Sequence, residues 1–167
     1  EAVVIHDWEL AFHGKTEEDV REYVAQGQFG LWNETGRYLN LAVNIGARQG
    51  WGYGESVGRL IQGELIDGES ILHPNKSISV LARARKLGIP FSVGANIGQS
   101  INYTNPDCDG AAIGATSYRD FLGLVEGLSN LQGGIYLSIG SAILSPQIFE
   151  KALSMARNVA LQEGRPL

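Results

Sequence analysis

Twenty-two glycines among 167 residues set the strongest limit on what this chain can become. At about 13% they stand well above an average usage near 7%. Low-complexity sequence would cluster them beside Ser and Pro. Here Gly27, Gly88, Gly94, Gly98, Gly110, Gly114, Gly133, Gly134 and Gly140 fall where apolar runs begin or stop. Close backbone approach or left-handed turns account for that placement, because a residue without Cβ takes either at little steric cost. The chain therefore reads as short elements joined by glycine-bearing connections.

The rest of the composition narrows the class. Hydrophobic residues make up 44% and charged residues 19%, a globular balance. A net charge of −5, with basic residues dispersed, gives no concentrated basic surface for nucleic acid or an anionic membrane. No apolar run approaches the roughly 20 residues that span a bilayer, and Glu1 to Ile5 lacks the basic and long apolar regions of a signal peptide. The single Cys108 excludes an internal disulfide and any cysteine-only metal site. These features imply a reducing, cytoplasmic setting. Opening at Glu1 directly into an apolar run, the chain looks trimmed from something longer, so residues 1–167 are expected to be one α/β domain from the C-terminal part of a larger protein.

Ala2-Val3-Val4-Ile5 is short and β-branched, which predicts a strand ending at His6-Asp7. Trp8 to His13 fits one helical turn closed by Gly14. Thr16 offers an N-cap with Glu17, Glu18 and Asp19 in the first turn, and Val20, Tyr23 and Val24 share a face up to Gly27. Helices follow over about Glu34 to Ala47, from Tyr53 through Ile61, and from Ser77 to Gly88 around a polar loop at 63–76. Ile89 to Val93 predicts a second strand with Pro90 at its start. The polar segment Gly94 to Ala115 is long for a plain connection. A helix capped by Thr116 or Ser117 carries Phe121, Leu124, Val125 and Leu128. Ile135 to Ile139 predicts a third strand, and Ser145-Pro146 opens a last helix to about Gln162.

Strands separated by helices imply a Rossmann-like parallel sheet with helices on both faces. Three strands are few for that architecture, so the sheet is expected to be incomplete within this chain and finished by a partner chain or a homo-oligomer. Ligands of such sheets lie outside the carboxyl ends of the strands. Those ends are His6-Asp7, Gly94 to Ser100, and Gly140-Ser141. His6 and Asp7, with Glu9 nearby, suit a general base and its orienter; alternatively Asp7 caps a short helix and His6 packs beside it. Gly94, Asn96, Gly98, Gln99 and Ser100 suit sugar or amide recognition, or satisfy their own loop. Gly140 and Ser141 precede a capped helix and suit an anion, or form a tight turn with nothing bound. Gly50 to Gly54 could form a flap beside Trp51. His13 and His73 have no ligand-like spacing, and Cys108 has no basic neighbour to activate it.

From Ser77 to Ser100 the order of helix, Gly-Ile-Pro-Phe, then a glycine-bearing polar loop resembles the deoxyhypusine synthase family. Gly54-Glu55-Ser56-Val57-Gly58 sits where that family has a short helix, and Gly133 to Lys151 resembles its later strand, glycine turn and helix. The resemblance spans much of 51–158. It implies a Rossmann-like NAD-binding fold, a tetramer, and NAD-dependent transfer of a spermidine aminobutyl group to a protein lysine. The family's triple glycine is replaced here by Ile139-Gly140-Ser141, its Asp-Gly pair by Asn96-Ile97-Gly98, and its catalytic lysine has no counterpart. The expectation is therefore an NAD-like cofactor site with an unassigned, transferase-like reaction. A phosphosugar-binding or isomerase-like domain and a non-catalytic ligand-binding subunit are the alternatives.

Overall fold

The computed structural model describes residues 1–16, 18–64, 68 and 70–165. Glu17, expected in a first helical turn, and residues 65–67 and 69 of the expected 63–76 loop lie outside them. Among the described residues seven α-helices run in order: α1 Ala2–His13, α2 Val20–Ala25, α3 Asn33–Gln49, α4 Tyr53–Gln62, α5 Val80–Leu87, α6 Gly110–Ser129 and α7 Leu144–Gln162. Short 3-10 turns occupy Lys76–Ile78 and Ile101–Thr104. Among the described residues there is no strand, so the Rossmann-like parallel sheet is not the fold of this chain. The chain divides into two compact units, Glu1–Asp120 and Phe121–Leu167.

Each expected strand fails for its own reason. Ala2 to Ile5 is the first turn of α1, despite its β-branched residues, because Val4, Ile5, Trp8 and Ala11 form one stripe at helical spacing and are all buried. Burial of that stripe, worth about 1.5–3 kcal/mol for each large side chain, outweighs a propensity deficit of at most about 0.7 kcal/mol per residue. Ile89 to Val93 finds no second strand. Its backbone is held by side chains of α6: the Val93 N–H donates to Asp120 Oδ2 at 2.8 Å, Ser117 Oγ donates to the Val93 carbonyl at 2.9 Å, and the Ala95 N–H donates to Ser117 Oγ at 2.9 Å. Residues 135–139 make no ladder either, and among the described residues no hydrogen bond engages their backbone.

Helix α4 is the hub of the first unit. It packs on α1, α3 and α5, and buries Tyr53, Val57, Leu60 and Ile61. Glycine makes that crowding possible. An ideal Cβ on Gly54 would lie 1.9 Å from the Phe91 carbonyl oxygen, and one on Gly46 of α3 would lie 1.8 Å from Ser56 Oγ. Helix stops account for others, as at Gly88, whose φ of 67° ends α5 in the left-handed region.

Two buried aspartates close the starts of helices distant in sequence. Asp7 of α1 accepts from Ser79 Oγ at 2.6 Å and from the Val80 and Leu81 N–H groups at 2.7 and 3.1 Å, at the start of α5. Asp120 of α6 accepts from the Gly54 N–H at 2.9 Å, at the start of α4. Both satisfy amides that a helix leaves without an internal partner. In the second unit, the Ser145 N–H donates to Ser141 Oγ at 3.0 Å near the start of α7, while Ala152, Ala156 and Ala160 form its buried stripe.

Candidate functional site

Among the described residues, a cluster of polar and titratable side chains that faces open space is built on α1. His6 and Glu9 are three residues apart, so a helix places them on one face. Glu9 is only 8% exposed. It accepts from the hydroxyl of Thr35 at 3.0 Å and from the hydroxyl of Thr16. Thr16 Oγ1 also lies 2.7 Å from His6 Nδ1. A hydroxyl has one proton and a carboxylate only accepts, so Thr16 donates to Glu9 and must accept from an Nδ1–H of His6. Neutral His6 is thereby held as the tautomer whose lone pair sits on Nε2.

Beside this chain of groups lies a cleft of about 440 Å³. His6, Glu9 and Ile5 of α1 form one wall, Glu18, Val20 and Phe29 another, and Gln99, Ser100 and Ile101 a third. A smaller cleft of about 290 Å³ shares Glu9 and Glu18 and adds His13, Lys15, Thr16, Asp19, Tyr23, Trp32 and Thr35. The larger cleft has apolar walls with a few converging polar groups, the usual character of a small-molecule site, and its volume falls in the lower part of the usual range; the smaller cleft is lined mostly by polar residues.

The sequence-predicted residues scatter around this geometry. His6, Gln99 and Ser100 meet at the larger cleft. Asp7, next to His6, points away to α5 and cannot orient it, since both of its oxygens serve that helix. Asn96 stands apart from the walls, its side chain donating to Gln99 Oε1 at 3.1 Å and its N–H to Glu1 at 3.3 Å. Gly98 makes the left-handed turn (φ 93°) before Gln99, while at Gly94 an added Cβ would meet nothing within 4 Å. Gly140, with φ 75°, and Ser141 belong to the second unit, where the Ser141 hydroxyl is engaged by the Ser145 N–H.

Other polar groups, away from the larger cleft, are structural. The Glu1 carboxylate accepts from Tyr53 at 3.1 Å, from Asn102 Nδ2 at 3.2 Å and from the Tyr103 hydroxyl. Burial, then the neighbouring Glu1, pushes the Tyr53 phenol well above its ordinary value, and the same causes raise Tyr103. Burial also pushes the Cys108 thiol up, followed by the charge of Asp109. His73 donates Nδ1–H to the Ile71 carbonyl at 3.0 Å, and burial lowers its pKa, keeping the ring neutral among Trp8 and Phe12.

No family model, curated protein or solved structure matches this chain. Among the described residues no helix is long and apolar enough to cross a membrane.

Proposed function

We propose that the chain binds a small neutral or cationic organic molecule in the cleft beside His6, and that His6 Nε2 moves a proton to or from it. The observation that carries this reading is the Glu9–Thr16–His6 relay at the cleft wall. A buried carboxylate holds a hydroxyl, the hydroxyl fixes the imidazole tautomer, and the basic nitrogen is left for a ligand. A positioned acid or base of this kind contributes about 10²–10⁴-fold to a reaction rate. Gln99 and Ser100 supply polar recognition opposite His6, and Ile5, Val20, Phe29 and Ile101 supply the apolar walls.

Charge argues for the ligand class. Glu9 and Glu18 line the cleft, and no Lys or Arg stands among its described lining residues. A pyrophosphate or sugar phosphate would sit against two carboxylates. An amine would be attracted. The reading therefore moves away from the NAD-like cofactor and the phosphosugar.

Thermal shift against a polyamine, NAD and a sugar phosphate tests it. The polyamine should raise the melting temperature by mass action, and His6→Gln should weaken that response. A shift with NAD and none with the amine would overturn the ligand class. Independently, long-range ¹⁵N–¹H correlations should place the proton of neutral His6 on Nδ1, and Thr16→Val should abolish that preference. A neutral His6 protonated on Nε2 in the unaltered chain would remove the relay.

A further inference from the structure

Within the second unit, residues 135–139 combine three properties. Ile135, Leu137 and Ile139 are 82%, 73% and 85% exposed. The residues between them face the opposite way: the Tyr136 hydroxyl lies 2.7 Å from Ser145 Oγ, Ser138 Oγ donates to the same oxygen at 2.9 Å, and the Tyr136 ring lies tilted against Phe149 with centroids 4.2 Å apart. Alternate residues thus share a face, the period of a strand. Their backbone N–H and C=O groups are unpaired among the described residues. Finally, no charged side chain occurs between Glu126 and Glu150, so the Lys and Glu guards that normally keep a strand edge solitary are missing.

The apolar pattern Ile-x-Leu-x-Ile reads the same in both directions. An antiparallel pair related by a two-fold axis through Leu137 would set Ile135 against Ile139 of the other copy, Leu137 against itself, and Tyr136 against Ser138. A slip of one residue would put apolar side chains against the polar face, and a slip of two would leave an isoleucine overhanging. Self-complementarity of this kind is what an isologous interface requires. We propose that residues 135–139 pair with the same residues of a second copy of this chain as an antiparallel ribbon centred on Leu137. Gly134 and Gly140 bound the pairing stretch, the latter turning the chain away with φ 75°.

Single-cysteine variants in a Cys108→Ser background test the register. Under mild oxidation Leu137→Cys should form a covalent dimer with itself. Ile135→Cys and Ile139→Cys should form little alone, but should cross-link to each other when mixed. By sedimentation the unaltered chain should be a dimer, and Leu137→Lys should be a monomer with unchanged helical circular dichroism, since the side chain is exposed. A chain that is monomeric at every concentration overturns the proposal, including one that associates only with a different protein. So does equal self-cross-linking at all three positions, or a Leu137→Lys variant that remains dimeric.

Discussion

Replacing Gly54 with alanine should detach the Phe91–Ala95 segment from α4 and destabilise the first unit by about 2–4 kcal/mol. The added Cβ would lie 1.9 Å from the Phe91 carbonyl oxygen. Restoring a C···O separation of about 3.3 Å requires a withdrawal of roughly 1.4 Å. The segment is not free to make it. Val93 and Ala95 are tied to Asp120 and Ser117 at 2.8 and 2.9 Å, and such a shift would carry both bonds beyond useful length. Overpacking costs about 1–3 kcal/mol, and each buried group left without a partner costs about 1–3 kcal/mol more. The helical gain of alanine over glycine returns about 1 kcal/mol at most. Gly114 of α6 has nothing within 4 Å of its Cβ position, so Gly114→Ala should instead stabilise by about 0.5–1 kcal/mol. Urea melts followed by tryptophan emission report on the first unit, which holds Trp8, Trp32 and Trp51. With a slope near 2 kcal/mol/M, the Gly54→Ala midpoint should fall by about 1–2 M while that of Gly114→Ala rises. Equal midpoints for Gly54→Ala and the unaltered chain would refute the close approach.

Asp120 should make the fold more stable in acid over a defined window. Burial holds its carboxyl up to about 6 from 3.8, against the opposing pull of the Gly54 and Val93 amides. The native state therefore binds this proton more readily than the unfolded chain. Its contribution is full below about pH 4 and is lost as the pH rises through about 6. The difference is about 3 kcal/mol, and Asp120→Asn should flatten that part of the profile of urea midpoints. Asp7→Ala strands the amides of Val80 and Leu81 and should lower stability by about 2–4 kcal/mol in the same melts. Arg59 lies 4.2 Å over the Trp51 ring and pairs with Glu55 and Glu64. Arg59→Ala should cost about 1 kcal/mol and shift the emission of Trp51.

Amphipathic helices with clear stops were legible in the sequence. The expected spans Glu34 to Ala47 and Tyr53 to Ile61 nearly coincide with α3 and α4, and the helix expected to stop at Gly88 is α5. In each, apolar residues recur at helical spacing and a glycine follows the last turn. The first expected strand was read from a β-branched run and the other two from short apolar segments that follow a glycine, signals that say a segment suits an extended or buried setting but not what its backbone will meet. At 93–95 that partner is Ser117 and Asp120 of a helix, a pairing with no period to detect. Ending a strand at His6-Asp7 gave His6 the partner Asp7, which turns to α5, and left Glu9 only nearby. In a strand, His6 and Glu9 would face opposite sides; in a helix they share one. Thr16 and Thr35 gave no signal of their own, because a hydroxyl that bridges two distant groups looks like any other capping residue until the fold brings them together. Gln99 and Ser100 were singled out as polar side chains at an expected strand end; they line the larger cleft although that strand is not there.

The carboxylates that close α4 and α5 come from 66 and 73 residues away along the chain. Ser79 caps the Ala82 N–H of α5 locally, but the Val80 and Leu81 amides, like that of Gly54 in α4, rely on these distant carboxylates, and at 10 and 8 residues both helices are shorter than helices that persist in water. Their formation must wait for large loops to shut, which makes folding of this unit depend on topology rather than on local nucleation. Excised peptides covering 51–63 or 78–88 would remain coil. In hydrogen exchange, the amides that open α4 and α5 should be released together with the distant helices that supply Asp120 and Asp7, rather than by fraying at their own ends.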